Sequence, residues 1–428
     1  MADDYTKITN LLSHEILYTV NSLDKSIFLK KKTSSAIEKS KRQTVNRRSL
    51  NVFHSNVEWL LKSDIRIKDG TDKGALYGWK YLDPPSYPFI YSEITGYAIS
   101  CYSWIYSELG QQRALIAAKD AAEWVKRNMD SEYLLVAGYR CLDTFTEKGD
   151  LSNQIYLFDN GIVMNGLINI YRLTGQKKFL TSARNMADSL IKYFFKNSTI
   201  NVALIDKLHR PVTDLKNKWS FTVGPHQSKI SLGLLRLSKF DSNPIYVKFS
   251  NSVCELALSS QNSDGSFVTD ISSNVIHIHP HLYACEGLVY SGIFLSNEEY
   301  FKAGLRGIIW ATYELNDKGG LTKDNSKALV EQSDVISQLL RLMILCHSDL
   351  LKFFDSSTLT NTIDKLHERI LNFCILSYDV NRGGVKYLSK LESTCSWCTM
   401  FCMQALWLWL KKTNSKLKSD EKWIDYFV

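Results

Sequence analysis

The sequence is poor in the residues that divide a chain into pieces. It has only seven prolines in 428 residues, and no stretch rich in Pro, Gly and Ser interrupts it. On length alone such a chain falls into two or three domains; without a linker, one continuous architecture is expected instead. No apolar run approaches the roughly 18 residues of a membrane span, and Met1 to Asn10 are polar and acidic without a hydrophobic signal core. The expected location is therefore cytoplasmic. No Gly-rich phosphate loop or dinucleotide fingerprint occurs, which argues against a nucleotide-dependent mechanism, and no cofactor is expected. The nine cysteines are odd in number, and Cys101, Cys254, Cys285, Cys346 and Cys374 sit in apolar helical context. They look like reduced core residues, not a disulfide framework. Cys395, Cys398 and Cys402 share one helix face, but no second CxxC or His-x-His pair follows to complete a zinc site, so no metal is expected.

What is present is apolar mass and a local excess of positive charge. Hydrophobic residues make up 45% of the chain and aromatics 12%, enough for a large core. The net charge of +8 is concentrated between Lys30 and Arg48, where Lys30, Lys31, Lys32, Lys39, Lys41, Arg42, Arg47 and Arg48 face only Glu38. This stretch reads as a solvated extension, with contact to an anionic surface as the sharper alternative. No aromatics interleave with the charges, so nucleic acid is not an expected partner. Residues 1–48 are assigned to a polar, basic extension and 49–428 to a single domain; oligomeric state is not legible.

Within that domain the sequence repeats. Residues 95–128 hold one helical pair: Tyr97, Ile99, Tyr102, Trp104 and Ile105, a break at Leu109-Gly110, then Ala114, Ala117, Ala118, Ala121, Trp124 and Val125. Residues 161–195 follow the same plan around Leu173-Thr174-Gly175. The i, i+3, i+4, i+7 spacing marks amphipathic helices, and the glycine supplies a left-handed stop. Further pairs span 227–260, 282–315 and 335–378. A lone first helix at 397–410 lacks a partner, and the segment Val52 to Leu61 is placed to supply one and close a ring. The repeat is too long for tetratricopeptide or HEAT stacking. Loops with Asp264-Gly265, Gly319-Gly320 and Gly383-Gly384 predict tight turns, each followed by an apolar residue in a short extended piece. The expected fold is all-α: six helical hairpins closed as an (α/α)6 toroid, with short extended turns in the loops.

In such a ring the first helices form the inner wall, and their N-terminal ends surround one mouth. Those segments are rich in polar and aromatic residues. Glu93-Ile94-Thr95-Gly96-Tyr97, Phe158-Asp159-Asn160-Gly161 and the run from His281 through Tyr283, Glu286 and Gly287 to Leu288 resemble the hairpin entrances of the six-hairpin glycosidase superfamily. Within it, they resemble uncharacterised helical-toroid proteins associated with prokaryotic surface-polysaccharide genes. The resemblance covers roughly residues 50–410. It implies a carbohydrate substrate and one or two carboxylates at inner-helix ends, one protonating the leaving oxygen and one activating water or attacking directly.

Glu93, Asp159 and Glu286 are the catalytic candidates. Glu93 and Asp159 open adjacent inner helices, where a carboxylate is equally suited to capping; Glu286, a turn inside its helix, needs a partner or a function. Tyr91, Tyr97, Trp219, His226, His281, Tyr283, Asp334 and Trp397 are candidates for binding sugar, since pyranose faces stack on aromatic planes and hydroxyls take polar partners. The same aromatics also suit an ordinary half-buried core. The run His277-x-His279-x-His281 presents one side only if extended, as Pro280 favours for its lead-in. The leading expectation is a glycoside hydrolase. The alternatives are a uronate lyase or C5-epimerase, resting on Tyr91, His226, His281 and Tyr283, or a non-catalytic glycan-binding protein, since fold does not fix function.

Overall fold

The computed structural model describes residues 43–140, 150–212, 219–270, 273, 275–326, 330–377 and 379–413. The chain separates between Asn51 and Val52 into two compact units. Of the first unit only residues 43–51 are described, and they are helical. Most of the basic stretch from Lys30 to Arg48 lies outside the described residues.

The second unit begins with α1 (residues 52–62). There follow α2 (Ser92–Leu109), α3 (Gln112–Asn128), α4 (Leu157–Thr174), α5 (Lys177–Phe194), α6 (Ser231–Leu237), α7 (Pro244–Ser259), α8 (Ile278–Phe294), α9 (Glu298–Tyr313), α10 (Ser333–Leu345), α11 (Ser356–Leu371) and α12 (Ser396–Thr413). The even-numbered helices pack in succession, α2 on α4, α4 on α6, α6 on α8, α8 on α10, α10 on α12, and α12 back on α2. The odd-numbered helices lie outside them. This is an (α/α)6 toroid.

The two kinds of helix follow from sequence pattern. α8 is buried almost all round, with Leu282, Ala284, Cys285, Leu288 and Val289 fully enclosed, as in a helix walled on every side. α5 instead buries a single stripe, Phe179, Ala183, Met186, Ala187, Leu190 and Phe194. α2 and α4 stop at Gly110 and Gly175, both left-handed. α7, α9 and α11 start on Asn243, Asn297 and Asp355, whose side chains accept first-turn N–H bonds.

The third hairpin departs from the expected regular first helix. The chain enters it as a 3-10 helix, Pro225–Ile230, with proline at the first position, and α6 itself is only seven residues long. The tighter winding of a 3-10 turn lets its backbone at Ser228 pass against Gly287 of α8, where any Cβ would collide with it.

Short strands decorate the loops: β1 (Trp79–Leu82), β2 (Pro85–Ser86), β3 (Ile90–Tyr91), β4 (Gly138–Tyr139), β5 (Gln154–Tyr156), β6 (Phe195–Lys196), β7 (Thr199–Ile200), β8 (Leu204–Asp206) and β9 (Ser393–Cys395). The antiparallel pair β1–β9, in register Trp79↔Cys395, Lys80↔Thr394 and Tyr81↔Ser393, ties the beginning of the ring to its end.

α1 completes the outer layer. Phe53 stacks on Trp407 of α12 at 4.9 Å, and the Tyr102 hydroxyl of α2 donates to the Leu60 carbonyl at 2.8 Å. The turn glycines show that α1 occupies a true repeat position. Gly265, Gly319 and Gly383 have φ of +98°, +78° and +92°, and the apolar residues that follow, Phe267, Leu321 and Val385, tuck back into the core. A Cβ on Gly265 would lie 2.6 Å from the Arg306 carbonyl oxygen of α9, and one on Gly319 2.7 Å from the Lys365 carbonyl carbon of α11. Gly383 abuts the Ser55 carbonyl of α1 in the same way, and Asn56 donates to the Gly383 carbonyl at 2.6 Å.

A Gly383→Ala variant is expected to lose more than about 2 kcal/mol, because a left-handed backbone penalty adds to a collision with α1. Gly110→Ala, also left-handed but with open space around it, should lose only about 1 kcal/mol. Urea midpoints of the two variants check this; equal losses would mean that docking of the turn on α1 contributes nothing.

Candidate functional site

The six inner helices, counting the 3-10 lead-in of the third, point their N-termini at one mouth. The second residue of each is, in chain order, Glu93, Phe158, His226, His279, Asp334 and Trp397. All six line a single cavity of about 410 Å³, within the range of small-molecule sites. Six helix dipoles thus present their positive ends to it, which favours the carboxylates of Glu93, Asp159 and Asp334 there. The N-cap positions of α2 and α4 are Tyr91 and Tyr156, so Glu93 and Asp159 sit inside the first turn and not at the cap.

The carboxylates flank a half-buried phenol. Burial pushes the Tyr91 hydroxyl well above its ordinary value, the charges of Asp159 and then Glu93 push it further, and it hydrogen-bonds the Asp159 carboxylate. Tyr91 is therefore a neutral donor at any physiological pH. Asp334 is held in place by three contacts. Its Oδ1 accepts the Val335 N–H at 2.8 Å, its Oδ2 accepts the Trp397 indole N–H at 3.1 Å, and the same oxygen lies 3.5 Å from Nδ1 of His279.

His279 is oriented by its neighbours. Nδ1 is 2.7 Å from the Gln338 side-chain oxygen, so that nitrogen carries the hydrogen and Nε2 keeps the lone pair. Burial lowers its pKa, against the opposing pull of Asp334. His226 is more deeply enclosed, and burial brings it down to about 3, with His279 adding a small push in the same direction. Trp79, Phe89, Tyr156, Phe158, Trp219, Phe221, Tyr283, Tyr387 and Trp397 supply aromatic walls, and Lys323 stands at the rim.

Of the residues singled out in the sequence, the cavity gathers Glu93, Asp159, Tyr91, Trp219, His226, Tyr283, Asp334 and Trp397. It does not gather His281, Glu286 or Tyr97. Helix α8 begins at Ile278, so His281 lies two residues on from His279 and faces the other way, because successive helical positions turn by about 100°. Its Nδ1 accepts the Phe267 N–H at 3.2 Å and its Nε2 donates to the Gly307 carbonyl at 2.9 Å, against the ring of Trp310. His281 thus joins an inner helix to its outer partner.

Glu286 lies deeper on α8 with no exposure, ion-paired to Lys229 at 2.6 Å and to Arg341. Arg341 also donates to Gln404 of α12 at 2.6 Å. The Lys229 ammonium stands over the rings of Tyr283, Tyr97 and Phe401 at 4.2, 4.9 and 5.3 Å. Burial lowers Lys229 to about 8, with the Glu286 charge opposing; the two cations hold the Glu286 carboxyl below its usual value in spite of its burial. Glu286 and Tyr97 therefore belong to the floor beneath the cavity.

The sequence reasoning missed Phe158 and His279 as site residues. Each occupies the second position of its helix, so the rule that selects Glu93 and Asp334 selects them too. Among the described residues, no group of three or more His, Cys, Asp or Glu is placed to hold a metal ion, the cysteines are free thiols, and no helix is long and apolar enough to cross a membrane.

The family model of glycosyl hydrolase family 47 matches residues 117–372, more than half of the chain. The chain belongs to that family. The match includes Asp159, His226, His279 and Asp334 but not Glu93 or Trp397. Solved structures of the same fold include a sugar epimerase from a ruminal bacterium (14% identity, 83% of this chain and 98% of that one, TM-score 0.66). A cellobiose 2-epimerase from Spirochaeta thermophila is also similar (12%, 88% and 98%, 0.68). So is an unsaturated glucuronyl hydrolase from Bacillus sp. GL1 (11%, 85% and 96%, 0.59). At these identities the likeness is one of fold. No curated protein matches the sequence. This member of glycosyl hydrolase family 47 is a carbohydrate-active enzyme, and a carbohydrate substrate fits that family.

His226 and His281 are neutral when folded, at about 3 and about 4, both lowered chiefly by burial. Unfolded histidine takes up its proton near pH 6.5, so between roughly pH 6.5 and 4 the unfolded state binds more protons, and stability rises with pH by up to about 1.4 kcal/mol per unit for each. The difference in denaturation midpoint between the protein and its His281→Phe variant should accordingly shrink as pH falls through this window. A difference independent of pH would mean that His281 is not neutral in the fold.

Proposed function

We propose that the enzyme hydrolyses a glycosidic bond of an oligo- or polysaccharide, with Glu93 and Asp159 as its two carboxyl groups. The observation that carries this reading is Tyr91: one half-buried phenol lines the cavity with both carboxylates, feels the charge of each and hydrogen-bonds one of them, so acid, base and a neutral donor share one end of the cavity. Asp159, which accepts the Tyr91 hydroxyl, acts as the base toward water or as the nucleophile, and Glu93 protonates the departing oxygen. The aromatic walls suit the apolar faces of sugar rings, and membership of a glycosyl hydrolase family supports hydrolysis over other carbohydrate chemistry.

The test is hydrolysis of a panel of oligosaccharides and aryl glycosides, read by mass for the gain of water. Asp159→Asn and Glu93→Gln should each lower kcat at least about a hundredfold while glycan binding persists. With an activated aryl leaving group, which departs without protonation, Glu93→Gln should recover most of its rate and Asp159→Asn should not. Full activity in both variants would overturn the assignment.

One observation favours a second reading. His279 holds its lone pair on Nε2, fixed by Gln338, and a base so oriented suits removal of a proton beside a sugar carbonyl, as in isomerisation or epimerisation. Incubation of reducing sugars in deuterated water separates the two readings, because only proton removal at carbon incorporates deuterium. The low proton affinity of His226 makes that ring a poor partner base for this route.

A further inference from the structure

A strip of aromatic rings leads out of the cavity along β1. It starts at Tyr91, beside Asp159 and Glu93, where the Phe89 ring meets that of Tyr91 at 5.4 Å between centroids. Trp79 meets Phe89 at 4.9 Å, Trp397 at 5.9 Å and Tyr81 at 6.3 Å, and Trp397 meets Tyr387 at 5.4 Å. Tyr91, Phe89, Trp79, Trp397 and Tyr387 line the cavity; Tyr81 lies beyond it, at the end of the strip.

Strand geometry fixes the side on which Tyr81 stands. Successive residues of a strand face opposite ways, so Trp79 and Tyr81 share one face of β1, about 6.7 Å apart along it. Lys80 leaves by the other face, where its ammonium donates to the Asn381 side-chain oxygen at 3.0 Å and stands 5.7 Å from the centroid of the Tyr87 ring. The face of Trp79 is the face of the cavity, and Tyr81 therefore projects on the same side. The strand also has a direction: Trp79 and Tyr81 are both half-buried, whereas Asp83, Pro84 and Pro85, at the turn that follows, are exposed. From Trp79 to Tyr81 the chain thus runs from the cavity toward solvent. Both edges of β1 are paired at this point, Tyr81 with Ser393 of β9 and with Ser86 of β2, so the ring is positioned before any ligand arrives.

A glycan whose reacting bond lies at Glu93 and Asp159 must carry the rest of its chain out of the cavity. Along β1 it meets a second ring one two-residue strand step beyond the first, a spacing close to the repeat of one hexopyranose unit. The apolar CH face of a sugar stacks on such a ring while its hydroxyls stay in water, which suits a half-buried tyrosine with a polar tip. All six rings of the strip lie outside residues 117–372, the part of the chain that the family model matches, so the strip is an elaboration carried by this chain's own seam. We propose that Tyr81, with Trp79, forms an outer subsite that stacks a sugar unit of the glycan beyond those held in the cavity, so that the enzyme selects chains over single glycosides. This rests on the hydrolase reading only in that the reacting bond is placed at Glu93 and Asp159.

Binding tests the proposal apart from catalysis. Gluco- and manno-oligosaccharides in α- and β-linked series, from the monosaccharide methyl glycoside to the pentasaccharide, are titrated calorimetrically into the Glu93→Gln protein. In at least one series, one added sugar should tighten binding about tenfold, as expected for covering one ring with one sugar face. Adding Tyr81→Ala should bring that step to within about twofold. Tyr81→Phe, which keeps the ring, and Lys80→Ala, on the opposite face of the same strand, should both preserve it, and they separate loss of the ring from damage to the strand. Affinity that rises at no step in any series, or a step that survives Tyr81→Ala, would overturn the proposal, as would a step lost equally in Lys80→Ala. A Tyr81-dependent step in a protein that hydrolyses none of these sugars would remove the hydrolase reading and leave this one standing; hydrolysis without such a step would do the reverse.

Discussion

A single carboxylate with no exposure, Glu286, sits between Lys229 and Arg341 beneath the mouth of the ring. A charge so placed persists only with close cations, and removal of Glu286 would leave two buried cations without their carboxylate at a cost of several kcal/mol. Lys229 comes from the 3-10 lead-in to the third inner helix, Glu286 from α8 and Arg341 from α10. Gln404 of α12 binds Arg341, and Tyr97 of α2 packs its ring against Lys229. Five of the six inner helices therefore converge on one electrostatic cluster. It fixes how far apart they stand at the depth of the floor, and hence where their first turns stand one level above.

From that placement the composition of the mouth follows. Each inner helix contributes its second residue to the cavity, and there the backbone N–H groups and helix dipoles are unspent. Acids are favoured at such positions for local reasons before any substrate is considered. The Asp334 carboxylate shows the economy of the arrangement: it takes a backbone N–H of its own helix, an indole of the next and the vicinity of an imidazole from the one before. Three neighbouring hairpins are thereby linked at the rim as well as at the floor.

Much of this was legible in the sequence because it is periodic. The hairpins, their glycine stops, the Asp-Gly turns and the role of residues 52–61 as the missing outer partner all rest on spacing, and spacing survives where identity does not. The positions of Glu93, Asp159, Asp334 and Trp397 at one mouth follow from the same count. What escaped depends on the phase of single turns. His279 and His281 differ by two residues, and only the start of α8 at Ile278 decides which one faces the cavity. Glu286 looked like a candidate acid because its partners lie 57 residues upstream and 55 downstream, at Lys229 and Arg341, and no local pattern announces such a pairing. The 3-10 winding at Pro225–Ile230 likewise answers a contact with Gly287 that the sequence does not display.

The join between β1 and β9 gives the cavity an order of assembly. Trp79 and Trp397 both line it, and their rings meet at 5.9 Å although more than three hundred residues separate them along the chain. One wall of the site is therefore the seam of the ring itself. Contacts of such sequence separation form late, after the loop-closure entropy of the intervening chain has been overcome. A chain emerging from the ribosome can build its first five hairpins and still lack a finished pocket, because Trp397 arrives with the last helix. Competence to bind sugar then reports on the closed ring and not on any hairpin within it, and a population of open rings would be helical, compact and inert.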